Sequence, residues 1–289
     1  MDNGAKRART ADLRNAIAAL YQLSYSPRRA FSIFTQTPMG RQRPTPTRFC
    51  PMITIAPADY RANVLCTLQM TPTIWSIYLA LEGETSFRFL PGQAVWPRFE
   101  REGRIFTKIY SIASSPALVP EIELCISRVG WASNFMCRLK PGDTIELRGP
   151  YGMMTLESVP ERDVVYVAEG SGIAPIKSHI EWLFAQENPP NVWLFYGGND
   201  PGEIAYHALW KDLAAHNLKF RYIPTVRTGA GEEFEPGSAE EAVAAFIKRP
   251  EALQVDICAV EDRVDEIKRA LLEQGFDPAH LRTERFCSY

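Results

Sequence analysis

The sequence has no apolar run approaching the roughly 18 residues a membrane span requires, and its N-terminus lacks the continuous apolar core of a signal peptide. Its cysteines, Cys50, Cys66, Cys125, Cys137, Cys258 and Cys287, form no C-x-x-C pair and no iron–sulfur spacing. That excludes zinc and cluster sites and leaves buried, reduced thiols in a cytoplasmic protein. The four histidines fall at no ligand spacing, and no internal repeat is found. A basic surplus is confined to residues 1–51, which carry nine Lys/Arg against two Asp, whereas the remainder carries 23 basic against 32 acidic residues. The body therefore has no nucleic-acid footprint.

What is present is an ordinary globular composition: 289 residues, 46% hydrophobic and 23% charged, enough for two modest domains. Residues 1–51 stand apart. "TADLRNAIAALYQL" suits a short amphipathic helix capped by Thr10 or Asp12, but "TQTPMGRQRPTPTRFCP" is Pro- and Arg-rich and reads as a disordered extension. The stretch "ARTADLRNAIAALYQLSYSP" also resembles peptides from conceptual translation through a transfer-RNA gene, so Met52 is the expected natural start; a basic targeting or docking arm is the alternative.

From Met52 onward the chain shows six short β-type runs: "RANVLCTLQM", "IWSIYLAL", "GQAVWPRFE", "FTKIYSIAS", "EIELCISRV" and "DTIELRGP". Turn signals at "EGE", "LPG", "REG" and "KPGD" separate several of them, a pattern that predicts a small antiparallel barrel with one helix at "ASNFMCRL". After "ESVPERD" strand and helix alternate four times before "LRTERF" closes the chain, which predicts a parallel sheet flanked by helices. The boundary falls between Leu156 and Asp163.

The first of these α/β units reads "VVYVAEGSGIAP". A buried strand leads into Gly170-Ser171-Gly172 and a helix whose first turn holds Pro175. Such a turn lets backbone amides approach a diphosphate, and it lies where nucleotide sites fall in α/β sheets. Taken alone, G-x-G is weak, and a tight strand-to-helix turn explains it equally well.

Taken together, "KIYSIASSP", "ASNFMCRLKPGDTIELRGPYGMM", "AEGSGIAP", "WLFYGG" and "TERF" resemble, in order and spacing, the ferredoxin-NADP reductase superfamily over nearly all of residues 53 to 286. The resemblance implies a six-stranded antiparallel FAD-binding barrel over 52–158, then a parallel-sheet α/β NAD(P)-binding domain over 159–289. It implies FAD and either NADPH or NADH as cofactors. The implied activity is that of a flavin-dependent NAD(P)H oxidoreductase passing electrons to an external acceptor protein such as a ferredoxin, a flavodoxin or an oxygenase. An electron-transfer subunit of a larger complex and a non-catalytic, redox-responsive binding protein are the alternatives.

Carried over by resemblance, Lys108 takes the place of the arginine that pairs with flavin phosphate. Lysine keeps the charge but loses the planar fork, so looser flavin binding is expected. Ile109 lies between it and Tyr110, whose ring packs on the flavin; Ser111 places a hydroxyl near the reactive nitrogen. Ala132, Ser133 and Asn134 offer amides and a hydroxyl to the diphosphate. Phe89, Pro91, Gly92 and Gln93 resemble the architectural turn before the flavin strand, and Gly149 to Met154 the end of the barrel. On the nicotinamide side stand Gly170, Ser171, Gly172 and Pro175, with Glu169 where the family usually has glycine; a carboxylate there opposes a diphosphate unless it points away. Cys258 and Glu284 match residues that approach the nicotinamide, although the family's next glycine is Ala259 here, and a buried structural thiol is the other reading of Cys258. Phe286 or Tyr289 would cover the flavin, or belong to the core. Arg227 matches a position near a 2′-phosphate, and a solvated loop charge is its other reading.

Overall fold

Alternating apolar positions in the first half close into a barrel. The structure, a computed structural model, describes residues 55–83 and 86–286. The N-terminal extension, the expected start at Met52 and Tyr289 lie outside the described residues. The barrel strands are β1 (Ala58–Gln69), β2 (Ile74–Leu81), β3 (Ala94–Arg101), β4 (Arg104–Thr107), β5 (Tyr110–Ser111), β6 (Glu121–Ser127) and β7 (Thr144–Tyr151), with helix α1 (Trp131–Cys137) before β7. They pair antiparallel in the order β4-β3-β7-β1-β2-β6, with β5 also on β3. A bridge from Ile112, just after β5, to Leu124 of β6 closes the ring. Six staves result, as the sequence predicts, and Ile77, Leu79, Phe87, Ile112, Ile122, Leu124 and Leu147 fill the interior.

One expectation is corrected. "FTKIYSIAS" is two strands, β4 and β5, separated at Lys108 and Ile109. Both pair with β3 in a single register, Arg98 opposite Thr107 and Val95 opposite Tyr110, so Pro97 falls opposite Lys108. Proline has no N–H to give the ladder, and the pairing lapses there.

The second half is a six-stranded parallel sheet built from β8 (Val164–Glu169), β9 (Val192–Gly198), β10 (Phe220–Val226), β11 (Glu235–Pro236), β12 (Gln254–Val260) and β13 (Leu281–Phe286). Helices α2 (Ile173–Leu183), α3 (His207–His216), α4 (Ala239–Phe246) and α5 (Glu261–Glu273) flank it. The order β11-β10-β9-β8-β12-β13 reverses direction between β8 and β12, and ligands of open α/β sheets sit outside the carboxyl ends of strands at such a switch point. The run "EIAYHALWKDLAAH" after β9 reads as one helix from Glu203, but α3 starts at His207, because Tyr206 adopts a left-handed backbone (φ 58°) that interrupts the helical path. Two-residue β11 carries no sequence signal long enough to read.

All described residues belong to one compact unit, and β6 shows how its halves join. Ile122, Leu124 and Ile126 point into the barrel. Strand alternation therefore turns Glu123, Cys125 and Ser127 outward, where the α/β half covers them: Lys177 Nζ donates to Glu123 Oε2 at 2.8 Å, Tyr206 Oη to Glu123 Oε1 at 2.7 Å, and Ser127 Oγ to Ser171 Oγ at 2.8 Å. Both faces of β6 are thus buried, one in the apolar barrel core and the other, carrying Glu123 and Ser127, against polar partners of the α/β half.

Candidate active site

The carboxyl ends of β8, β12 and β13 face the barrel edge formed by β5 and the loop before α1. Between them lies a cavity of about 640 Å³. The strand-to-helix turn after β8 folds tightly because Gly170 has φ +58° and because a Cβ on Gly172 would stand 2.1 Å from the Cys258 carbonyl oxygen. A Cβ on Gly170, by contrast, would meet nothing within 4 Å. Tyr196 Oη donates to the Gly170 carbonyl at 2.9 Å and steadies the turn. Pro175 is buried in the first helical turn.

The cavity gathers Lys108, Ile109, Tyr110 and Ser111 from the barrel, Ala132 and Ser133 from α1, Ser171 from the glycine turn, and Glu284 and Phe286 from β13. Ser111 donates to Glu284 Oε1 at 3.1 Å across 173 positions of sequence. Burial pushes the Glu284 carboxyl up to about 7; the Ser111 hydrogen bond works against this rise, and nearby Asp256 adds to it. Tyr110 is half-buried against the barrel core, and burial raises its phenol above the ordinary value.

Other expected residues are placed differently. The Ser133 hydroxyl accepts from the amides of Val129 and Gly130 at 2.9 Å each and donates to the Gly130 carbonyl at 3.0 Å, so it organises the loop before α1. Asn134 donates to the same carbonyl at 2.8 Å and does not line the cavity. Cys258 is fully buried with its thiol 3.8 Å from the Met154 sulfur, one layer below the cavity surface that Met154 helps form. Burial, then the neighbouring Glu284 carboxylate, raise that thiol well above its usual value.

A second crevice, of about 180 Å³, shares Ser171, Val260 and Phe286 with the first and runs along the sheet edge past Gly197, Gly198, Asn199 and Arg227. Here Glu169 does not project freely. Arg263 grips both its oxygens, Nε to Oε2 at 3.0 Å and Nη2 to Oε1 at 2.9 Å, and Arg227 adds a bond to Oε1 at 3.2 Å.

Several residues escaped the sequence reading. Lys177, fully buried, bonds Glu123 and Glu181, the latter at 2.5 Å. Lys177 and Glu181 are four apart on α2, and Glu123 is a charge inside an apolar strand; both signals were legible. His179 Nε2 faces the carbonyls of Pro91 and Met154 at 3.2 and 3.0 Å, and a Cβ on Gly92 would meet that nitrogen at 2.4 Å. Asp256, which lies 3.6 Å from His179 Nδ1, is held by Arg282 at 2.7 and 2.5 Å. Burial opposes the Asp256 charge, but these neighbours outweigh it and keep the carboxyl below its usual value.

The lining suits a large flat group with an anionic tail. Ile109, Trp131 and Met153 are 55%, 37% and 95% exposed around the mouth, apolar surface that a ring system would cover. Lys108 supplies a cation and Ser111 a hydroxyl, and open space over Gly170 lets a phosphate approach the turn. A closed barrel facing the switch point of a parallel sheet across such a cavity defines a two-domain flavin- and nicotinamide-nucleotide-binding oxidoreductase fold. Family models described as "Oxidoreductase FAD-binding domain" and "Oxidoreductase NAD-binding domain" match residues 68–156 and 166–260. The chain belongs to the ferredoxin-NADP reductase superfamily. It is 29% identical over 238 residues to the phenol hydroxylase P5 protein of Acinetobacter pittii, covering 80% of this chain and 66% of that one. To ferredoxin--NADP reductase B of Sorangium cellulosum it is 26% identical over 238 residues, covering 78% and 97%. Its fold matches a ferredoxin NADP+ reductase of Neisseria gonorrhoeae, solved with bound FAD and NADP, at a TM-score of 0.69 and 22% identity, covering 78% of this chain and 98% of that one. The chain spans just under two thirds of the length of the phenol hydroxylase relative.

Proposed function

We propose that the protein oxidises a reduced nicotinamide nucleotide and delivers the electrons, through FAD, to an external acceptor protein. The observation that carries this reading is the convergence of Tyr110, Ser111, Glu284 and Phe286 on one cavity that is continuous with the glycine-turn crevice. FAD, when bound, supplies the centre that takes hydride from nicotinamide and passes electrons on. The chain binds, orients and excludes water around it.

In this reading residues 52–158 hold FAD and 159–289 the nucleotide. Lys108 offers its charge to flavin phosphate, with Ile109 beside it, and the Tyr110 ring packs on the flavin. Ala132, Ser133 and Asn134 shape the loop that receives the diphosphate. Gly170, Ser171, Gly172 and Pro175 shape the turn for the nucleotide diphosphate, and Phe286 separates the two crevices as a cover for the flavin. Ser111 and Glu284 share a proton-bearing contact at the point where nicotinamide would approach. Cys258, a layer below, acts as packing that fixes the position of Glu284 across the β12–β13 pairing.

The acceptor is read as external because similar proteins are named as the reductase component of a phenol 2-monooxygenase and the reductase subunit of a glycine betaine monooxygenase. Four buried free thiols, Cys66, Cys125, Cys137 and Cys258, favour a reducing compartment such as the cytoplasm; among the described residues no helix is long and apolar enough to cross a membrane. Steady-state assay of the purified protein with NADH or NADPH and a one-electron dye tests the proposal. Turnover that depends on added FAD is expected. Failure to oxidise either nucleotide with FAD present would overturn it.

A further inference from the structure

The second crevice holds an imbalance of charge. Glu169 and Glu203 line it, and Arg227 is the cation among its lining residues. The Arg227 guanidinium already donates to Glu169 Oε1 at 3.2 Å and to Asn199 Oδ1 at 3.3 Å. Arg263, the other cation on Glu169, is itself shared among carboxylates: it bonds Glu240 at 2.9 Å and pairs with Glu266 as well as Glu169. Glu203 accepts from the Asn199 amide at 2.9 Å and from its side chain at 3.0 Å, which fixes the Glu203 carboxylate at the crevice wall. The chain after Arg227 brings no further cation: between Thr228 and Ile247 it carries Glu232, Glu233, Glu235, Glu240 and Glu241 and neither Lys nor Arg.

A 2′-phosphate placed beside Arg227, away from the glycine turn assigned to the diphosphate, would meet the Glu203 carboxylate and a guanidinium already engaged by Glu169. A ribose hydroxyl meets the same groups favourably, because carboxylate oxygens keep free lone pairs for an O–H donor. We propose that the crevice selects the nicotinamide dinucleotide lacking a 2′-phosphate, NADH over NADPH, and that Glu169 sets this choice by holding Arg227. The proposal rests on the reading of the preceding subsection, and it reverses the expectation that Arg227 serves a 2′-phosphate. It also gives the glycine-to-glutamate departure at position 169 a purpose. The carboxylate is turned from the diphosphate turn and lies across Gly197, where a Cβ would stand 3.3 Å from its Cγ and Oε1.

The test is calorimetric binding to the FAD-loaded protein with probes that do not reduce it: NAD+ against NADP+, and AMP against 2′-phospho-AMP. The unphosphorylated member of each pair is expected to bind at least about tenfold more tightly. Glu169→Gln, which keeps shape but releases Arg227, should shrink that ratio about tenfold, chiefly by tightening the phosphorylated probes. Glu203→Gln, which leaves the Glu169–Arg227 pair in place, should shift the ratio in the same direction by less. A parent protein that binds NADP+ as tightly as NAD+, or a ratio unmoved by Glu169→Gln in a folded variant, overturns the inference and leaves the oxidoreductase reading standing. Binding of none of the four probes overturns both.

Discussion

Lys108 stands where β4 ends and β5 has yet to begin, opposite Pro97, at the mouth of the main cavity. A lysine there offers a point charge where the family's arginine offers a planar fork. Lys108→Arg should therefore lower the FAD dissociation constant by roughly threefold to tenfold, measured by fluorescence titration of the flavin; no change would remove Lys108 from the phosphate contact. Glu284 gives a prediction in pH. Its carboxyl rises from 4.5 to about 7 in the folded chain, so the folded state binds the proton more tightly than the unfolded state. The stabilisation is complete below pH 4.5 and is lost as the pH rises to about 7. Glu284→Gln, always neutral, should gain in Tm relative to the parent across that window and hold a constant difference above it. A difference independent of pH would contradict the burial argument. At this scale Tyr110 and Ser111 were legible by resemblance, whereas the Ser111–Glu284 contact, 173 positions long, was not. Composition likewise gave no hint that Glu169 would be gripped by Arg263, 94 positions away.

Among elements, the glycine turn after β8 separates two requirements that the sequence merges into one motif. Gly172 is required by proximity, since an added Cβ would strike the Cys258 carbonyl. Gly170 is required by conformation, at φ +58° with open space around it. Gly172→Ala should cost about 3 kcal/mol or more, because backbone and not a mobile side chain must give way. Gly170→Ala should cost about 1 to 2 kcal/mol. Urea unfolding of both variants checks the order; equal costs would contradict it. Barrel strands and parallel strands were legible because period-two alternation and buried runs differ on the page. The breaks were harder. Nothing local to "FTKIYSIAS" reports that its partner position is Pro97, and nothing in "EIAYHALW" reports that Tyr206 leaves the helical region to carry its hydroxyl to Glu123.

In the whole molecule, the seam between barrel and sheet is held by a charge network with almost no access to water. Lys177 and Glu123 are 2% and 1% exposed, and the same helix supplies Glu181 to the Ser115 amide at 2.9 Å and Ser178 to the Ser114 carbonyl at 2.7 Å. Helix α2 thus fixes the segment that follows Tyr110 and Ser111. Burial opposes the Glu123 charge, but Lys177, Ser76 and Tyr206 outweigh it and keep the carboxyl below its usual value. Lys177→Met would leave Glu123 buried beside Glu181 without a cation, at a cost of about 3 to 5 kcal/mol. Denaturant unfolding is the check, and a loss below about 1 kcal/mol, typical of exposed pairs, would contradict the buried-network description. The two-part architecture was legible from the change of grammar near Leu156, and so were the seam's single charges, but their pairing was not, because 54 positions separate Glu123 from Lys177. The central claim, that the cavity joining Tyr110 and Ser111 to Glu284 and Phe286 is where nicotinamide meets flavin, is tested most directly by anaerobic mixing of the FAD-loaded protein with a stoichiometric amount of NADH while the flavin absorbance is followed. Bleaching of the oxidised flavin band is the expected result; a flavin that stays oxidised with NADH and with NADPH alike would contradict it.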